Sequence, residues 1–70
     1  MSIPAKSDPR WKKLLSGSDQ PPFSSLAIRL LVTRLRQDVA KTPGSMTTAI
    51  DELYGFFSNN KFAEKDVNAF

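Results

Sequence analysis

Apolar residues recur along most of the chain at intervals of three and four, the spacing that places side chains on one face of an α-helix. The pattern is strongest over residues 25–41. There Ile28, Leu31, Val32, Leu35 and Val39 fall within one arc of about 100°. Leu26 and Leu30 lie on a different face, flanked by Thr33, Arg34 and Gln37. The first half of this helix is therefore apolar on two sides, and one chain-internal neighbour covers only one of them. Ser24 or Ser25 supplies an N-cap, and Thr42-Pro43-Gly44 ends the run.

Three weaker segments share the periodicity. Asp8-Pro9 pairs an N-cap with a first-turn proline, and Trp11, Leu14 and Leu15 follow at helical spacing, predicting a two-turn helix over 9–16. Residues 46–58 carry a wide apolar arc of Met46, Ala49, Ile50, Leu53, Tyr54, Phe56 and Phe57, with Gly55 opposite it. Ser45 is the expected cap, with Thr48-x-x-Asp51 as a second start one turn on. A last short helix is expected over 62–69, where Ala63, Val67 and Phe70 keep the i, i+4, i+7 spacing. Residues 16–23, with Pro21-Pro22, read as a linker, and 1–7 as a flexible N-terminal tail ahead of a single domain over 8–70.

No strand-like alternation and no internal repeat is present. The expected fold is all-α, a small bundle of three to four helices. Its centre is an antiparallel hairpin of 25–41 and 46–58, because the connection between them is short. The expected core is Ile28, Leu31, Leu35, Val39, Ile50, Leu53 and Phe57.

Composition narrows the chemistry. The 70 residues include neither Cys nor His. Thiolate nucleophiles, imidazole acid–base groups, disulfides and the usual zinc and haem ligands are therefore not available. Asp8, Asp51 and Glu52 stand at helix starts, where the helix dipole favours them, and Asp38 pairs with Arg34 at i,i+4. No two carboxylates are spaced for acid–base work, and Ser16, Ser24, Ser25 and Ser45 have no histidine to activate them. The expectation is a non-catalytic chain with no cofactor, metal or small-molecule substrate. The longest apolar run, Leu30-Leu31-Val32, is far too short to span a membrane, and residues 1–10 lack the apolar stretch of a secretory signal. A cytoplasmic location is expected.

Two functional readings remain. In the first, the chain is a small protein-interaction module or accessory subunit that binds another protein or a second copy of itself. Leu26 and Leu30 need cover, and Trp11, Leu14 and Leu15 either supply it within the chain or join them in anchoring a partner. A domain this short buries little surface of its own, which favours shared burial. The alternative rests on charge. The formal net charge is +3, and basic residues concentrate in the first part of the chain. Arg29, Arg34 and Arg36, with Lys12 and Lys13, would contact nucleic acid in a regulator of that kind, although they do not align in one stripe.

Overall fold

The computed structural model describes residues 3–70. Among these residues the chain forms four α-helices, α1 (Pro9–Ser16), α2 (Leu26–Lys41), α3 (Met46–Asn59) and the single-turn α4 (Glu64–Val67). A 3-10 turn, Pro43–Ser45, joins α2 to α3. The fold is a small all-α bundle with α2 and α3 as its central antiparallel pair, and α1 packs against both.

Local chemistry accounts for most of the boundaries. The Asp8 carboxylate accepts the Arg10 main-chain N–H at 2.9 Å, and Pro9 occupies the first turn, where no intrahelical N–H bond is lost. At the start of α2 the cap is Ser25, whose hydroxyl accepts the Ile28 N–H at 3.3 Å. Ser45, the expected cap of α3, makes no such bond. Its hydroxyl donates to the Thr42 carbonyl at 2.7 Å, and its backbone already follows the helical turn that runs into α3. The Thr48-x-x-Asp51 alternative lies inside the helix. The final helix is shorter than the expected 62–69, and Ala63 at its start has no side-chain acceptor to offer.

Trp11 and Leu15 of α1 enter the centre, with Phe23 from the linker, Ile28, Val32 and Leu35 from α2, and Ala49, Leu53 and Phe57 from α3. Of the expected core, Ile28, Leu35, Leu53 and Phe57 are buried, whereas Leu31, Val39 and Ile50 are only half-buried. The difference is α1. By packing on both long helices it turns the centre of burial on α2 toward Val32 and leaves Leu31 at the flank.

The expected tail is also part of the packing. Pro4 is buried and Ile3 lies against the core. The Trp11 indole N–H donates to the Ala5 carbonyl at 2.8 Å and the Pro4 carbonyl at 3.2 Å, which fixes residues 4–5 to α1. Residues 1–2 of that tail lie outside the described residues. No helix among the described residues is long and apolar enough to cross a membrane.

Candidate functional site

The five apolar residues expected to meet a partner divide into two groups. Trp11 and Leu15 are fully enclosed, so the expectation that they anchor a partner is corrected: they pack against their own chain. Trp11 stands in an aromatic cluster, edge-on to Tyr54 and Phe57 at centroid distances of 5.9 Å and to Phe70 at 4.6 Å. Phe23 and Phe70 close the cluster against Phe57 at 5.7 and 5.4 Å. Edge-to-face contacts of this kind set the positive ring edge on a negative ring face. With its N–H already donated to the tail, Trp11 has no polar atom left to offer. Leu14 is half-buried beside this core.

Leu26 and Leu30 behave differently. They are 60% and 61% exposed, the only large apolar side chains among the described residues to stand out this far. One helical turn apart on the N-terminal half of α2, they form a short ridge. Its charged surroundings are balanced. The Arg34 guanidinium reaches the Asp38 carboxylate at 3.3 Å and also pairs with Glu52 across on α3. The residue before Glu52 on α3, Asp51, pairs with Lys6 at 3.1 Å, and that ammonium lies 5.5 Å from the centre of the Tyr54 ring.

The five cations of the nucleic-acid alternative are not gathered. Arg34 is held by two carboxylates. Arg36 is turned to structural use: its Nε donates to the Leu14 carbonyl at 2.9 Å and its Nη1 to the Asp19 carbonyl. It thereby strengthens the bonding of a carbonyl at the end of α1 that also accepts the Gly17 main-chain N–H at 3.4 Å, and places a cation where the helix dipole favours one. Arg29 is half-buried on the same side of α2 as Arg36, well round from Arg34, and its Nε has no hydrogen-bond partner. Lys12 and Lys13 are exposed on α1.

Sequence reasoning missed Asp66. Ala63, Val67 and Phe70 share helical spacing in the last segment, yet Ala63 is exposed and it is Asp66 that is buried. Its carboxylate accepts the Ser24 main-chain N–H at 2.7 Å, the Ser24 hydroxyl at 3.0 Å and the Ser25 N–H at 3.2 Å. The Ser24 main-chain bond is the first cause holding the carboxyl below the ordinary carboxylate range, with the other two bonds and nearby Lys65 adding to it against the cost of burial. The site it makes is an internal clasp on the start of α2. Among the described residues no three acidic side chains are grouped to hold a metal ion. No family model, no curated protein and no solved structure matches the chain.

Proposed function

We propose that the chain is a small non-catalytic interaction module, an accessory subunit or homodimer, that binds protein through Leu26 and Leu30 on the outward face of α2. The observation that carries this reading is the exposure of both leucines on a helix whose remaining large apolar residues are buried or half-buried. A single exposed leucine is ordinary on any protein surface. Two of them one turn apart, on an element already ordered by the core, form a preorganised apolar ridge, and burying the exposed part of each is worth about 1–2 kcal/mol. A cytoplasmic setting accompanies the reading, since the chain has no cysteine with which to form a disulfide. The nucleic-acid alternative draws less support, because Arg34 and Arg36 are committed to partners within the chain.

The test is the double substitution Leu26→Lys with Leu30→Lys. Both side chains are largely in solvent, so the helical circular-dichroism signal should persist. The native mass of the tagged chain in extract of its own cells should fall to that of the free chain. An assembly of unchanged mass in the double variant contradicts the proposal.

A further inference from the structure

We propose that residues 61–70 form a strap, latched by the Asp66 carboxylate, that opens as a unit while α1, α2 and α3 stay folded, and that protonation of Asp66 releases it. This device does not rest on the interaction reading and is separate from the Leu26 and Leu30 face.

The strap has one polar attachment. Among the described residues, every hydrogen bond that joins 61–70 to the rest of the chain ends on Asp66: the Ser24 N–H at 2.7 Å, the Ser24 hydroxyl at 3.0 Å and the Ser25 N–H at 3.2 Å. The main-chain bonds of the segment are local, such as the one from the Asn68 N–H to the Glu64 carbonyl at 2.9 Å. No ion pair among the described residues involves it. Nor does α3 depend on it, since the Asn60 side chain donates to the Phe56 carbonyl at 2.9 Å and closes that helix before the strap begins.

Burial points the same way. Asp66 is the one fully buried residue of the strap, while Phe62, Val67, Ala69 and Phe70 are half-buried. A segment seated chiefly by the hydrophobic effect sets its apolar side chains deepest. This one buries a charge, which stays down only while its bonds are made. The single turn of α4 is too short to persist as a helix by itself.

What the strap covers is the aromatic cluster. Phe70 lies 4.6 Å from Trp11 and 5.4 Å from both Phe23 and Phe57. The body beneath has its own ties: α1 packs on α2 and α3, and Trp11 keeps its bonds to Pro4 and Ala5 and its contact with Tyr54 without the strap.

The charges around the latch set the direction of the response. On its own turn stand Glu64 and Lys65, of which Lys65 acts on Asp66. From the start of α2, Ser24 and Ser25 present an uncharged hydroxyl and two N–H groups. On the α1 side, Arg10, paired with Asp8, borders Val67 and Asn68. Lys13, Asp19 and Arg36 border Ala69 and Phe70. A proton on Asp66 removes the charge that three donors address and turns one acceptor oxygen toward them as a donor. The latch therefore holds while Asp66 is ionised and fails as acid protonates it.

Native-state hydrogen exchange of the full chain, followed at rising sub-denaturing urea, tests the strap. The Ser24, Ser25 and Asn68 amides should exchange through an opening roughly tenfold or more as populated as the one that frees Val32 and Leu53, with a weaker dependence on urea. That opening should grow between pH 7 and pH 3. Asp66→Asn, which mimics the protonated latch, should lower the protection of these amides by roughly tenfold or more at pH 7, and the two chains should converge at acid pH. Equal populations and equal urea slopes for strap and core amides in the wild type overturn the separate opening, whether or not the variant folds. A strap opening that ignores pH, or an Asp66→Asn chain with wild-type protection at pH 7, overturns Asp66 as its latch.

Discussion

The Asp66 carboxylate lies 2.7 Å from the Ser24 main-chain N–H, joining the last turn of the chain to the start of its longest helix. The bond spans 42 residues. It puts a negative charge at the N-terminal end of α2, where exposed N–H groups and the helix dipole both favour one. Ser25 meanwhile caps the helix from within, so the two serines divide the work: Ser25 caps α2, and Ser24 contributes two of the three bonds that hold α4 in place.

That clasp gives the fold a defined response to acid. The folded chain holds Asp66 below the ordinary value of 3.8, first through the Ser24 main-chain bond. The stabilisation is therefore fully present above that value and is lost as pH falls through the lower folded one. Asp8, lowered by its side-chain bond from Arg10, responds in the same direction. Denaturant titrations between pH 7 and pH 2 should show stability falling on acidification. Asp66→Asn should cost about 1–3 kcal/mol at neutral pH and flatten the acid dependence. An Asp66→Asn chain with wild-type stability and an unchanged acid slope contradicts the role given to the clasp.

Trp11 should be the most sensitive position in the core. Trp11→Ala removes a fully buried ring that touches Tyr54, Phe57 and Phe70 and should cost about 3–5 kcal/mol, comparable to the whole stability of so small a domain. Trp11→Phe keeps an aromatic ring but removes the N–H that holds the Ala5 and Pro4 carbonyls, and should cost roughly 1–2 kcal/mol. Thermal unfolding followed by circular dichroism orders the three chains. Equal melting temperatures for wild type and Trp11→Ala would place Trp11 outside the core.

Arg36 separates the structural account from the nucleic-acid alternative. Its guanidinium ties the end of α1 and the following loop to α2 through the Leu14 and Asp19 carbonyls. Arg36→Lys, which keeps the charge and loses the planar fork, should destabilise the chain by about 1 kcal/mol in urea unfolding. A substitution that leaves stability untouched while weakening low-salt binding to mixed DNA would instead assign Arg36 to nucleic acid.

The fold was legible where local rules act alone. Asp8-Pro9 and the Ser24-Ser25 pair mark helix starts through short-range bonds, with Ser25 the cap that forms, and the i, i+3, i+4 spacing separates Ile28 and Leu35 from Leu26 and Leu30 without any tertiary information. What escaped depends on contacts between distant segments. Phe23 reads as the end of a proline-rich linker, and only the docking of Phe57 and Phe70 shows that it is core. Asp66 reads as a solvated acid on a short helix. The signal for it was the unpaired N–H groups of Ser24 and Ser25, which require an acceptor but do not say which of seven acids supplies it. For the candidate site, periodicity separated Leu26 and Leu30 from the core face. It did not separate Trp11 and Leu15 from them, because a helical apolar stripe reads the same whether its cover is internal or external.

Affinity purification of the tagged chain from its own cell extract, with and without nuclease, tests the interaction account most directly when wild type is compared with Leu26→Lys plus Leu30→Lys. The account predicts protein, whether another polypeptide or untagged copies of the chain, that survives nuclease with the wild type and is lost with the double variant. Protein that disappears on nuclease treatment, or is retained equally by the double variant, contradicts it.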